Sequence, residues 1–330
     1  MSNLYIIAEV EINHNGNFDI ARRMIETARD CGVDCVKFQY IIANEIADHN
    51  SPYYGLFNKA ELSQEQFRKL KKFAEKEMGM DFMMTVTSFK TFYLTKELCI
   101  EKIKVSSSNL TNTLLLEEIG KYKNEFEIYL STGMGTLSDI ELALKTLRYD
   151  NKDENFNIFH CTSNYPADYE DLNLNMIVTM KNAFRNIKMG YSDHTTDNVA
   201  AIASVALGAE LLEKHFTLDK EMDGPDHFFS VDPEGLGRYV LDVRNTEKAL
   251  GKYEKSPASS EIEMIDKTRR FLVFKTDIKK GSKLNPEIFD TKRIGSPEKA
   301  VEVKYVDILS QLKAARDYKA GDIVKWSDFN

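Results

Sequence analysis

Across residues 1–250, a short apolar run ends in polar residues and gives way to a longer segment of helical spacing, and the pattern recurs eight times. The runs are LYIIAEV (4–10), DCVKF (34–38), DFMMTV (81–86), EKIKV (101–105), FEIYLS (126–131), FNIFH (156–160), IKMGY (187–191) and ELLEKHF (210–216). Strands alternating with helices imply a parallel sheet with helices packed against it. Two architectures remain, a closed (β/α)8 TIM barrel and an open doubly wound sheet. The polar ends of the runs decide between them. In order they carry Glu9, then Lys37 and Gln39, then Thr85, then Lys104 and Ser107. The later four carry Ser131, then His160 with Ser163 and Tyr165, then Ser192 and His194, then Glu213 and His215. A barrel builds its active site from the carboxyl ends of many strands, whereas an open sheet gathers it at one crevice. The spread therefore predicts the barrel.

The intervening segments support this. FDIARRMIETARDCG (18–32) sets Ile20, Met24, Ile25 and Ala28 on one face of a helix. LSQEQFRKLKKFAEKEMG, LSDIELALKTLR, LNMIVTMKNAF and TTDNVAAIASVALGAE repeat the spacing, the last with Asp197 or Thr195 available to cap it. The pattern changes after residue 250. Gly, Pro, Ser and charged residues make 251–268 read as a linker, and 269–330 reads as a small β-rich module in which KKG and KAG form turns. No internal repeat is expected. A net charge of −8 argues against a nucleic-acid surface. The amino terminus lacks the features of a signal peptide and no run is long enough for a membrane span, so a cytoplasmic protein is expected. The four cysteines have no zinc or redox spacing and are expected to be buried thiols.

His194 and His215 close consecutive runs, and adjacent strands lie about 4.8 Å apart. Two imidazoles so placed can converge on one divalent cation and leave positions open for water and substrate. One histidine after a strand commonly only bonds within a loop; two, each beside an acid, favour the metal. Asp193 and Glu213 are expected to orient the ligands. His160 is expected to be structural or to orient a substrate. Lys37 and Lys104, with Thr85, Ser107 and Ser131 and the amides of STGMG (131–135), suggest an anion pocket. A Schiff-base lysine is the competing use of the same residues.

AEVEINHNG, VKFQ, LSTGM, HCTSNYP, SDHT, LEKHF and GPDH together resemble the sialic acid synthase family, which includes N-acetylneuraminate and legionaminate synthases. DIKKG, TKRIG and DYKAGD resemble that family's C-terminal antifreeze-like (SAF, β-clip) domain. The resemblance implies a transferase that condenses phosphoenolpyruvate with an N-acetylated hexosamine, either N-acetylmannosamine or a 2,4-diacetamido-trideoxyhexose, to give a nonulosonic acid and phosphate. It implies His194 and His215 as ligands of Mn2+, with Mg2+ or Co2+ as alternatives. Lys37, Lys104, Ser107, Ser131, Ser163 and Ser192, with Thr85 beside them, become phosphoenolpyruvate contacts. Gln39, Tyr165 and Asp226 become sugar contacts, and Glu9 the carboxylate near the reacting carbons. Arg293 becomes an arginine inserted into the partner's barrel in a domain-swapped homodimer. Three positions depart from the pattern: Glu11 for Gly, Asn109 for an acid, and Ile294 for Pro. Competing readings are a Schiff-base lysine aldolase on the same barrel, a phosphoenolpyruvate enzyme acting on a sugar phosphate, and a non-catalytic carbohydrate- or ice-binding protein.

Overall fold

The computed structural model describes residues 4–52, 54–295 and 299–329, with the side chain of residue 266 outside that description. Eight strands close into a barrel in sequence order. They are β1 (Tyr5–Glu11), β2 (Cys35–Gln39), β3 (Asp81–Val86), β4 (Lys102–Val105), β5 (Glu127–Ser131), β6 (Phe156–Cys161), β7 (Lys188–Asp193) and β8 (Leu211–His215). Each neighbouring pair is parallel, including β1 with β8, so the open sheet is excluded. The eight runs read from the sequence match these strands to within two residues at either end.

Side chains alternate across a strand, so every second residue enters the barrel. Lys104 on β4 meets Glu213 on β8, and these strands are not neighbours. Their contact crosses the interior and fixes which set points inward. The inward residues form three layers. Tyr5, Asp81, Lys102, Glu127 and Asn157 make the foot, linked by side-chain bonds. Ile7, Cys35, Met83, Tyr129, Phe159 and Leu211 make an apolar plug. Glu9, Lys37, Thr85, Lys104, Ser192 and Glu213 make the mouth, all buried. Gly190 belongs to the plug layer, where a Cβ would come within 2.5 Å of the Phe159 ring and 2.8 Å of Leu211 Cβ. Glycine there lets Phe159 fill the centre.

The outward set packs under the helices. The helix Phe18–Asp30 buries Ala21, Met24, Ile25 and Ala28, and Asn17 caps it by accepting from the amides of Asp19 and Ile20. The long helix expected from residue 62 begins instead at Gln64, behind a Ser63–Gln66 capping box. It ends in a widened π turn, Phe73–Glu77, that buries Phe73 and Ala74. The helix after β7 runs Val199–Ala206 with Asn198 at its cap position. Asp197 accepts from the Val199 amide, but Thr195 is held inward by Asp193. Two short helices after β2, Ala43–Ile46 and Tyr54–Ala60, had no clear sequence signal. A small cluster of Ile12, Ile41 and Ala60, with Ile46 and Phe57 against it, ties them to the end of β1.

The chain divides into two compact units, Met1–Gly251 and Lys252–Asn330. In the second, the stretch read as a linker carries a helix, Ile262–Thr268. Beyond it, β9 (Phe271–Phe274) pairs antiparallel with β10 (Phe289–Lys292) over a core that includes Leu272, Phe274, Leu284, Val301 and Tyr318. Contrary to expectation, this unit holds a short repeat. DIKKG (277–281) and DYKAG (317–321) face each other, and each aspartate serves the other turn. Asp277 pairs with Lys319 at 2.6 Å and accepts from the Ala320 amide; Asp317 pairs with Lys279 at 2.7 Å and accepts from the Lys280 amide. Gly281 and Gly321 end the turns at φ 83° and 90°. Among the described residues, no helix is long and apolar enough to cross a membrane. Two cysteines correct the expectation of burial: Cys35 and Cys161 are buried, but Cys31 is half-buried and Cys99 exposed.

Candidate active site

The carboxyl ends of the strands open into a cavity of about 560 Å³. Every metal-ligand, catalytic and substrate-contact residue that the resemblance implies in the first unit lines it except Asp226. Glu45, Ile46 and Phe57 from the two short helices after β2 complete one wall. Arg293 belongs to the second unit, exposed just after β10.

The two lysines hold different degrees of freedom. An ammonium has three N–H donors. Lys37 pairs closely with Glu9 and donates to Thr85 at 3.2 Å, and stands 3.3 Å from Glu213 Oε2, an ion pair without a hydrogen bond. Lys104 donates to Glu213 at 2.5 Å and only weakly to Ser192 at 3.5 Å. Burial works against the charge on Lys37, but Glu213 and Glu9 outweigh it and its pKa rises. For Lys104 burial prevails over Glu213 and the pKa falls. Glu213 is the centre of this network and also accepts from Ser192 at 3.0 Å. Burial opposes its charge, yet Lys104 and Lys37 hold it below the usual carboxylate range. It does not orient the histidines by a hydrogen bond, as expected, but joins both lysines. Burial pushes Glu9 up to about 7 against the pull of Lys37.

Beside the lysines, Ser131 Oγ and Ser163 Oγ are buried without hydrogen-bond partners. A Cβ on Gly133 would lie 2.2 Å from Ser163 Oγ and 2.8 Å from Ser107 Oγ, so the backbone there approaches the hydroxyls as only glycine permits. The amides of the STGMG loop contribute less than expected. Gly133 donates to Ser107, Gly135 to the Thr132 carbonyl and Thr136 to Asp139. Asn109 donates to Ser106 Oγ and accepts from Asn112, and adds no charge.

Across the cavity, the rings of His194 and His215 lie 5.4 Å apart, with Tyr165 4.2 Å from His194. His194 Nδ1 donates to the Thr162 carbonyl at 2.6 Å, which leaves Nε2 with its lone pair. Burial lowers His194 to about 4, and lowers His215 well below its ordinary value with His194 adding to the effect. Both rings are therefore neutral, as ligands must be. His215 Nδ1 is buried with no hydrogen-bond partner. Asp193, expected to support the histidines, points to the outer face of β7 and pairs with the buried Lys214 at 3.0 Å. His160 also faces outward, bonding the Leu172 carbonyl.

Glu11 ends β1 where the register with β2 slips, and a bulge of this kind re-aims a side chain. Its φ of 42° lies in the left-handed region, which costs a non-glycine residue about 1 kcal/mol. Its Oε2 comes to 3.4 Å from His215 Nδ1. Ligand atoms of Glu11, His215 and Asp226 lie within 4.8 Å of one another. Burial raises Glu11 well above the ordinary carboxyl range, with Asp226 adding to it, and burial likewise raises Asp226. Asp226 thus stands beside Glu11 and His215, which both line the cavity, without lining it itself.

The NeuB family model matches residues 24–255. The chain belongs to the NeuB family. Among its relatives is an N,N'-diacetyllegionaminic acid synthase of Campylobacter jejuni, 35% identical over 98% of this chain and 100% of the relative. The human N-acetylneuraminate-9-phosphate synthase is 34% identical over 89% of this chain and 84% of its own length. A crystal structure of N-acetylneuraminic acid synthetase from Leptospira borgpetersenii, in complex with citrate, superposes at a TM-score of 0.74 with 31% identity, over 80% of this chain and 90% of that one. Within this NeuB-family barrel, the residues that sequence reading underrated are Glu213 and Glu11. Glu213 was detectable by parity, since it stands two residues before His215 and must enter the barrel with it.

Proposed function

We propose that this NeuB-family chain condenses phosphoenolpyruvate with the open-chain aldehyde of an N-acetylated hexosamine and water, yielding a nonulosonic acid and phosphate. One observation carries the reading: two buried lysines and two unpartnered buried hydroxyls share a cavity with two neutral, adjacent imidazoles. Phosphate and carboxylate need cationic and hydroxyl donors together. Lys104, Ser131 and Ser163, beside the Gly133 close approach, have the hydrogen-bonding capacity to receive them. Lys37, Thr85, Ser107 and Ser192 complete this side, and Gln39 and Tyr165 border the acceptor.

In the reaction, C3 of phosphoenolpyruvate bonds to the aldehyde carbon and the aldehyde oxygen gains a proton. Water adds its oxygen to C2, and the C2–O bond to phosphate breaks. In this reading Glu9 takes the proton from that water. The orphaned Nδ1 of His215 and the closeness of the two rings fit a divalent cation. Held by His194 and His215, that ion, Mn2+ with Mg2+ or Co2+ as alternatives, would supply Lewis-acid polarisation of the carbonyl. In the same reading the second unit is the antifreeze-like module, and its Arg293 serves the barrel of a second copy in a homodimer. The names of the relatives point to different acceptors, one diacetylated and one phosphorylated. The cavity wall carries, among the described residues, no arginine and no lysine beyond Lys37 and Lys104. That favours an acceptor without phosphate.

The test is phosphate release from phosphoenolpyruvate with Mn2+ and a panel of acetylated hexosamines. Release is expected with N-acetylmannosamine or a 2,4-diacetamido-trideoxyhexose, and chelation should cut it at least about hundredfold, reversibly. No release with any acceptor overturns the reading. The lowered pKa of Lys104 gives a Schiff-base aldolase its one foothold. A borohydride-trapped adduct, with turnover resistant to chelation, would favour that alternative.

A further inference from the structure

The mouth contains a second grouping that the lysine network does not use. Glu11 Oε2 stands 3.4 Å from His215 Nδ1, and a ligand atom of Asp226 completes a trio within 4.8 Å. His194 is not part of this trio. Two features suggest that the grouping is built for a ligand. His215 is 5% exposed, and its Nδ1 has no hydrogen-bond partner although it faces Glu11. Two carboxyl groups also face each other in a half-buried place, where they cannot both ionise unless a proton or a cation lies between them. Neither lysine of the mouth is hydrogen-bonded to Glu11; Lys37 bonds Glu9 and Thr85, and Lys104 bonds Glu213. A divalent cation bound here would take the place of the proton that the two carboxyl groups otherwise share.

We propose that Glu11, together with His215 and Asp226, directly ligates the divalent cation. The site is then oxygen-rich rather than built on imidazoles alone, which shifts its preference toward the harder Mn2+ and Mg2+ and away from Co2+ and Zn2+. The bulge at the end of β1 is the device that turns Glu11 toward His215. The inference rests on the condensation reading only for what the ion does, because ion binding is measured without turnover.

The experiment titrates Mn2+ alone into the intact chain and follows free Mn2+ by its paramagnetic resonance signal. Glu11→Gln and Glu11→Gly should each weaken Mn2+ binding at least tenfold, and Asp226→Asn should weaken it as well. Glu11→Gln should weaken Mg2+ more than Co2+, since it replaces an anionic carboxylate oxygen with a weaker neutral amide oxygen and leaves the imidazole nitrogen in place. The glycine variant guards against misfolding, because glycine adopts the backbone at φ 42° without strain. Glu45→Gln removes an equal charge from the same cavity wall and should change Mn2+ binding less than twofold. Binding within twofold of wild type in both Glu11 variants overturns the proposal, as does an equal loss in the Glu45 variant, which would make the effect one of general charge. A chain that shows this dependence on Glu11 yet releases no phosphate refutes the condensation alone.

Discussion

The two ends of this barrel use the same kinds of side chain for opposite ends. At the foot, Lys102 pairs with Glu127 and stands 3.5 Å from Asp81. Tyr5 donates to Asp81 at 2.6 Å, and Tyr129 and Asn157 donate to Glu127 at 2.8 and 3.2 Å. The groups satisfy one another, and only Asn157 Oδ1 is left over. At the mouth, on the other side of the apolar plug, Lys104 and Lys37 pair with Glu213 and Glu9. There Ser131, Ser163 and His215 keep buried polar atoms without partners. Buried polar groups in folded proteins are nearly always bonded, so a cluster of exceptions needs a reason. A lysine–glutamate pair inside a barrel is therefore ambiguous by itself. Unused hydrogen-bonding capacity around it, opening on a cavity, marks the functional end.

The sharpest way to break this contrast is to replace one lysine at each end with a side chain of similar length and no charge. Lys104→Met should lower phosphate release at least about hundredfold, the scale of removing one electrostatic contact to a charged substrate. It should also weaken phosphoenolpyruvate binding in calorimetry. If Lys104→Met turns over normally, the mouth pairs are structural like those of the foot and the contrast fails.

The barrel was legible because its strands are buried on both faces and announce themselves as apolar runs, while the mouth announces itself in the polar residues that end them. Which residue meets which was less legible. Lys104 and Glu213 are 109 residues apart and touch only because the sheet closes. Asp193, expected to orient the histidines, is kept from them by strand parity: Ser192 and His194 enter the cavity, so Asp193 faces out, where Lys214 receives it. Glu11 followed no such rule, since the bulge between Glu9 and Glu11 resets the register locally. In the second unit the spacing D-x-K-x-G occurs at 277 and again at 317. Its meaning depends on the two turns meeting, which the sequence does not state.

At the foot, Lys102→Met leaves the Glu127 carboxylate without its cation. Stability should fall by about 2 kcal/mol, less than for a fully buried pair because water reaches both groups. Urea unfolding measures this, and turnover per folded molecule should stay within about twofold. A loss of activity larger than the loss of folded protein would mean that the foot shapes the site through the plug, and the two ends would no longer be independent.

The smallest effect concerns acid. Burial opposes the charge of Glu127, but Lys102, Tyr129 and Asn157 outweigh it and hold the carboxyl below its ordinary value. In the unfolded chain that carboxyl titrates near about 4.3. The unfolded state therefore takes up the proton first as pH falls, and the stabilisation is fully present above that pH and lost below it. Glu127→Gln has no such proton to take up. The gap in unfolding midpoint between wild type and Glu127→Gln should be constant from pH 7 to pH 5, then narrow as the solution is taken toward pH 3. Comparing the two proteins cancels the mouth carboxylates, which titrate in both. A gap that stays constant down to pH 3 would mean that Lys102 does not hold Glu127 ionised, and that the foot is kept together by its aromatic hydroxyls and the plug above them.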